Sequence, residues 1–286
     1  MANYAKSTTR KDTFSLFLPS LLVLILTLSK PVNSQNCGCP SDFCCSQWGY
    51  CGQTDDYCGY GCREGPCQGG GDASGEVNSG GGEDAVSLEG TVTPEFFNSI
   101  INQARSDCAG KGFYSHDAFI AAANSYQSFG ASISKREIAA FFAHVTHETE
   151  FMCYIEEIDG PANAEKYCYN DKTDFPCAEG KAYYGRGPIQ LSGNDNYGAC
   201  GRDLNENLLA SPEKVAQDPV LAFKTAFWFW TTNVRQNFNQ GFGATIRAVN
   251  GKECTGGNSA TVAKRIEYYR DYCGKLGVEP EENLSC

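Results

Sequence analysis

The chain has 286 residues, 16 of them cysteine, and 34 acidic residues against 23 Lys and Arg give it a formal charge of −11. An even, dense set of cysteines fits an oxidising compartment and structural disulfides, which weighs against a cytosolic protein and against cysteine catalysis. The acidic balance offers no electrostatic footprint for nucleic acid or for an anionic membrane surface.

At the N-terminus, Lys6, Arg10 and Lys11 precede an apolar run from Phe14 to Leu28, and small residues follow at Val32 and Ser34. That is the layout of a secretory signal peptide over residues 1–34. The run is interrupted by Ser15, Pro19, Ser20 and Thr27, and it is short of the ~20 residues that a spanning helix needs, so no membrane anchor is expected. Removing residues 1–34 takes away Lys6, Arg10, Lys11, Lys30 and Asp12, leaving a charge of −14. With no sorting tail after Cys286, the expected destination is the extracellular space rather than the vacuole.

Residues 35–67 hold eight cysteines between Cys37 and Cys67, and no other follows until Cys108. So short a segment cannot bury a normal core, and disulfides worth about 2–4 kcal/mol each must hold it. Its aromatic residues are then released from core duty. Trp48, Tyr50 and Tyr57 can form a platform for the apolar faces of sugars, with Ser46 supplying a hydrogen bond. Residues 68–90, rich in Gly and acids, read as a flexible linker.

Residues 91–286 suffice for one sizeable core and show helical periodicity. Thr93-Pro94-Glu95 is a helix start, followed by Phe96, Phe97, Ile100 and Ile101. Ser115 opens a second helix with Phe119, Ala122, Ala123 and Tyr126 on one face. Ser134 to Glu137 reads as a capping box before Ile138, Phe141, Phe142 and Val145. Asp218-Pro219 begins a fourth helix, apolar nearly all round, and Val262, Ile266, Tyr269 and Cys273 mark a fifth. Strand-like alternation is sparse, the best case being Cys153–Ile158, so the domain is expected to be mainly α with at most a small sheet.

The third helix carries a candidate acid. At ~100° per residue, Glu148 lies about 20° from Phe141, on the margin of the apolar stripe, where partial desolvation raises a carboxyl pKa. Glycoside cleavage usually needs a second carboxylate across a cleft, and Glu156 and Glu157 are both candidates. They would point to opposite faces of an extended chain, and spacing does not choose between them. The loop from Tyr183 to Tyr197 adds polar and aromatic groups suited to hydroxyl and acetamido recognition. His144 and His147 fit neither HExxH nor HxxEH, and His116 lies elsewhere, so no metal is expected.

CCSQWGYCGQTDDYC, residues 44–58, resembles the hevein-type chitin-binding module. The resemblance implies that Ser46, Trp48, Tyr50 and Tyr57 hold N-acetylglucosamine units. It also implies disulfides Cys37–Cys45, Cys39–Cys51, Cys44–Cys58 and Cys62–Cys67. FFAHVTHET (141–149), CYIEEIDG (153–160), YYGRGPIQLS (183–192), GFGATIRAVNG (241–251) and RIEYYRDYC (265–273) together resemble plant chitinases of glycoside hydrolase family nineteen. With the short module in front, they resemble class IV.

What this implies is a lysozyme-like, α-rich, two-lobed domain over 91–286 that hydrolyses β-1,4-linked N-acetylglucosamine with inversion, without a cofactor, in defence against fungi. By the resemblance, Glu148 is the general acid, Glu157 the general base, and Ser192 helps hold the water. Gln190, Asn196 and Asn250 contact substrate, Arg265 tunes the carboxylates, and Tyr183 or Tyr184 lines the cleft. The implied disulfides are Cys108–Cys153, Cys168–Cys177 and Cys254–Cys286. Cys200 and Cys273 remain, and a bridge between them is one expectation.

The chain departs from the pattern at Gly193 and Asp195, where bulky or aromatic residues are usual, and at Glu150, where Gly is common. A chitin-binding, lectin-like protein without turnover is therefore the alternative, and action on peptidoglycan a third reading. The expected partners are chitin and its oligomers, and the expected state is a monomer.

Overall fold

The computed structural model describes residues 38–45, 51–54, 58, 62, 64–67, 85–255 and 259–286, and the chain divides into two units, Met1–Ser79 and Gly80–Cys286. The signal-peptide reading, Cys37, and the sugar-contact candidates Ser46, Trp48, Tyr50 and Tyr57 lie outside the described residues.

In the first unit, β1 (Cys44–Cys45) pairs antiparallel with β2 (Cys51–Gly52). Disulfides join Cys39 to Cys51, Cys44 to Cys58 and Cys62 to Cys67, and Cys45 is also disulfide-bonded. Cys44 and Cys45 are fully buried and Cys58 nearly so. Cystine sulfur thus fills the place of a hydrophobic core, as a segment this short requires.

The second unit is mainly helical. It begins with α1 (Leu88–Thr91), capped by Ser87, with Leu88 buried and Val86 N donating to Ile133 O at 2.9 Å. Packed chain is thus already present before residue 91, the boundary read from composition, because Val86 and Leu88 are apolar anchors.

Four predicted starts hold. Thr93, Ser115, Ser134 and Asp218 each accept a backbone N–H at the heads of α2 (Pro94–Ile101), α4 (His116–Ser125), α5 (Lys135–Thr149) and α7 (Pro219–Phe229). The short α3 (Gly110–Phe113) lies between α2 and α4.

The capping box at Ser134 is only half formed. Ser134 Oγ accepts from Glu137 N at 3.1 Å, but the Glu137 carboxylate turns inward and accepts from Trp230 Nε1 at 2.7 Å and Arg235 Nε at 2.5 Å. A buried ion pair and an indole donor outcompete the local backbone.

The core is largely aromatic. Phe119 sits among Phe97, Phe129, Phe142, Phe223 and Phe227, and Phe129 stacks on Phe227 with centroids 4.0 Å apart. α5 is buried from Glu137 to Thr146, with small Ala139, Ala140 and Ala143 among its larger side chains. α9 (Ser259–Leu276) packs along it, and Tyr272 shares a 2.7 Å hydrogen bond with Thr146. Between α7 and α9 come a π-helical turn (Trp230–Val234), α8 (Phe242–Asn250) and a 3₁₀ turn (Gly251–Cys254).

Cys153–Ile158 does not form the expected strand. α5 ends in three consecutive non-glycine residues with positive φ, Glu150 at 49°, Phe151 at 64° and Met152 at 62°. Such a left-handed run reverses the chain and leaves room for only an isolated bridge between Glu156 and Arg186. It also explains why Gly would be favoured at 150. The turn is pinned by the Cys108–Cys153 disulfide and by Gly110 N donating to Cys153 O at 2.9 Å. A Cβ at Gly110 would lie 1.8 Å from Met152 O, so no side chain fits there.

The Cys168–Cys177 and Cys254–Cys286 disulfides are also formed. Cys200, on α6 (Asn194–Asp203), and Cys273, on α9, are buried thiols and not disulfide partners, which corrects that expectation.

Candidate active site

Glu148 lies in the last turn of α5, where the helix emerges from the core. The opposite wall comes from the chain around Glu157 and from the Tyr183–Tyr197 segment. These walls enclose a cleft of about 500 Å³ whose lining includes Glu148, Glu157, Gln190, Ser192, Asn196 and Asn250. Six residues named from sequence are thereby brought together. Beyond Glu148, Glu157 and Gln190, a pocket of about 280 Å³ takes in Glu150, Tyr154 and Asp159. The described residues also form a cavity of about 460 Å³ lined by Thr93, Ser99, Lys135 and Lys275, and it holds no carboxylate pair.

The two adjacent glutamates have different fates. Glu157 N donates to Gly185 O at 2.8 Å, and its carboxylate accepts from Tyr167 Oη at 2.7 Å and Gly185 N at 3.1 Å. Burial and the Glu157 hydrogen bond push the Tyr167 phenol up to about 12, so it remains a donor across the neutral range. The Glu156 carboxylate instead meets Arg186 Nε at 2.8 Å and Tyr184 Oη at 3.0 Å. The Glu156–Arg186 bridge decides which carboxylate faces the cleft floor, and that pairing is tertiary.

Arg265 is fully buried and organises the acidic side. Its Nε donates to Glu253 Oε2 at 2.9 Å, and its Nη2 donates to Glu253 Oε1 at 2.8 Å and also to Glu148 Oε1. The remaining Nη1 contacts His144 Nδ1 at 3.0 Å. A guanidinium only donates, so Nδ1 accepts, which leaves His144 Nε2–H to donate to Thr245 Oγ1 at 2.8 Å. His144 is thus neutral, and burial followed by the Arg265 charge holds its pKa well below the usual value.

Burial pushes the Glu148 carboxyl up, and the Arg265 charge and hydrogen bond only partly oppose it, with Glu253 adding to the rise. The position of Glu148 at a helix C-terminus, where the macrodipole is negative, works in the same direction. Burial also favours the neutral form of Glu253, but Arg265 outweighs it, with help from His147 and Thr261, and that carboxyl sits below the ordinary range. Burial, then Arg265, pushes His147 down to about 4. One protonatable glutamate therefore lies beside one fixed, charged glutamate.

Neither Tyr183 nor Tyr184 lines the cleft, which corrects that expectation. Tyr183 is fully buried, its hydroxyl accepting from Ala178 N and donating to Leu209 O, both at 2.9 Å, so it is a core residue. Tyr184 packs under the Arg186 guanidinium, 3.7 Å from its ring centroid, and lies outside the cleft lining. Arg265, with no exposed surface, holds carboxylates and has no face for substrate. The aromatic rings that do line the cleft belong to Tyr167, Tyr169 and Phe229. Tyr167 ends a 3₁₀ segment (Pro161–Tyr167), while Tyr169 is held at the cleft by tertiary contacts with Asn194.

The family model described as Chitinase class I matches residues 91–238 and 234–286, and that described as Chitin recognition protein matches residues 32–67. The chain is 70% identical over 285 residues to Endochitinase CHI of Arabidopsis thaliana, covering 99% of this chain and 100% of that one. It is 53% identical over 272 residues to Endochitinase A of Zea mays, covering 93% and 96%. Among solved structures, a class IV chitinase of family GH19 from Zea mays matches with TM-score 0.67 and 53% identity, covering 70% of this chain and 100% of that one. Chitinase C from Streptomyces griseus matches with TM-score 0.61 and 40% identity, covering 68% and 80%.

Proposed function

The chain belongs to glycoside hydrolase family 19, the class I chitinase family, with a chitin recognition module in front, and we propose that it is a secreted, monomeric endochitinase acting by single displacement. Glu148, its carboxyl pushed up by burial, and Glu157 line one cleft, and this pairing carries the reading. Glu148, protonated, donates its proton to the glycosidic oxygen as the bond to the anomeric carbon breaks. Glu157, held by Tyr167 and Gly185, accepts a proton from water as that water's oxygen attacks the opposite face of the sugar, positioned with Ser192. Inversion places about 6.5–9.5 Å between the carboxyl groups so that the water fits. Gln190, Asn196 and Asn250 supply polar contacts to the sugars.

The module supports adhesion to insoluble chitin, and the linker raises the effective concentration of the cleft beside it. The signal-peptide layout and the disulfides support secretion to the extracellular space, and defence against chitin-walled fungi is the role that follows. Incubating purified mature protein with colloidal chitin and with bacterial wall suspension tests this. Soluble oligosaccharide from chitin alone is expected. Retained chitin binding without release would make the protein a lectin on an enzyme's fold, and clearing of the bacterial wall would redirect the substrate to peptidoglycan.

A further inference from the structure

Tyr169 is an exposed aromatic residue, 38% accessible, on the wall of the cleft that also presents Ser192 and Asn196. Exposed rings on flexible loops are poor platforms, but this one is held on both sides. The fully buried Asn194 accepts from Tyr169 N through Oδ1 at 2.7 Å and donates to Tyr169 O through Nδ2 at 3.2 Å. The same Nδ2 donates to Phe175 O at 2.7 Å, and the Cys168–Cys177 disulfide closes the loop beside the ring.

The ring lies over Gly193. A Cβ at that position would stand 2.7 Å from Tyr169 Cε2, and φ of 88° already disfavours any side chain there. Asp195, the other departure from the expected pattern, turns away from the cleft lining, with Oδ2 3.7 Å from Lys172 Nζ. Gly193, where a bulky or aromatic side chain was expected, thus leaves space that the Tyr169 ring and Asp195 Oδ1 share, the ring arriving from a different segment. Tyr169 keeps its accessibility while lining the cleft, so ligand can reach its ring.

We propose that Tyr169 is a specificity-determining residue of this cleft, a fixed ring on which one N-acetylglucosamine unit stacks, seated by the absence of a side chain at Gly193. Sugar rings present apolar C–H faces that an aromatic plane covers, and a ring ordered in advance loses little entropy on binding. This rests on the endochitinase reading and names how that same cleft takes its substrate. Since the ring contacts a sugar away from the transferred proton, its contribution falls on binding rather than on chemistry.

Steady-state hydrolysis of chitin hexamer by the full chain provides the test. Tyr169→Ala and Tyr169→Leu should each raise KM about tenfold while leaving kcat within about twofold, and Tyr169→Phe should match wild type because stacking needs no hydroxyl. Unchanged KM in Ala and Leu, or an equal loss in Phe, overturns the proposal. A fall in kcat with no change in KM overturns it too, since that marks a structural disturbance of the carboxylates. If wild type releases no product, the endochitinase reading fails instead. The ring is then judged by calorimetric titration of hexamer into wild-type and Tyr169→Ala chains: weaker binding in the variant upholds it, and identical isotherms overturn it.

Discussion

Arg265 and Glu148 share a hydrogen bond, yet the guanidinium donates twice to Glu253 and only once to Glu148. The buried positive charge is therefore mostly committed to Glu253. Glu148 receives enough to be oriented and too little to cancel the upward push of burial on its carboxyl, which suits a general acid.

Removing that guanidinium leaves Glu253 and Glu148 without a counter-charge. Arg265→Met should destabilise the domain by about 3–5 kcal/mol, the cost of orphaning a buried charge. Arg265→Lys keeps the charge but loses the fork, and should cost about half as much. Urea unfolding at pH 7 measures both. A variant within about 0.5 kcal/mol of wild type would remove Arg265 as the organiser of the site.

Glu148 has a second signature in stability. Its folded pKa is raised, so its ionisation weakens the fold as pH climbs from the ordinary carboxylate value through the raised one. Glu148→Gln removes that penalty. The variant should gain stability over wild type progressively across that window, and show no such gain below it. Unfolding midpoints compared at pH 4 and pH 8 check the sign, and a constant offset would contradict it.

His147 acts in a lower window. Its folded pKa of about 4 lies below the ordinary value, so its contribution is complete above about 6.5 and is lost as pH falls toward 4. Replacing it with Gln should flatten the stability profile between those limits. An unchanged slope would place the acid sensitivity elsewhere.

The half-formed capping box separates two residues that sequence alone treats as a pair. Ser134→Ala should cost about 1 kcal/mol, an ordinary N-cap loss. Glu137→Gln should cost more, about 2–4 kcal/mol, because it leaves Arg235 without its buried partner. Equal losses would restore the simple capping box.

Glu156 and Glu157 likewise part company. Glu157→Gln should lower kcat about 10²–10⁴-fold, as loss of a general base does. Glu156→Gln disturbs only the Arg186 and Tyr184 contacts and should leave kcat within about tenfold. Rates on chitin hexamer decide it, and the opposite ranking would exchange their roles.

These contrasts show where local sequence stops being informative. Caps at Thr93, Ser115, Ser134 and Asp218 are read within three residues of themselves, and each is made. α6 and α8 each follow a glycine with positive φ, Gly193 at 88° and Gly241 at 107°, and lack a side-chain cap, so they give no comparable start signal. The helix stripe made Glu148 a candidate, and the family resemblance, not the stripe, gave it its role. Glu253 was not legible, because its role depends on Arg265 arriving from α9. Tyr183 and Tyr184 looked like cleft residues on a polar loop, but the carbonyl of Leu209 and the side chain of Arg186 draw them into the packing. Tyr169 required the Asn194 clasp, which spans 25 residues.

The stereochemistry of the product tests the central claim most directly. Following chitin hexamer cleavage by NMR, beside Glu148→Gln and Glu157→Gln, should show α-anomers first, with both variants abolishing them. β-Anomers as the first products, or undiminished turnover in Glu148→Gln, would contradict single displacement by this pair.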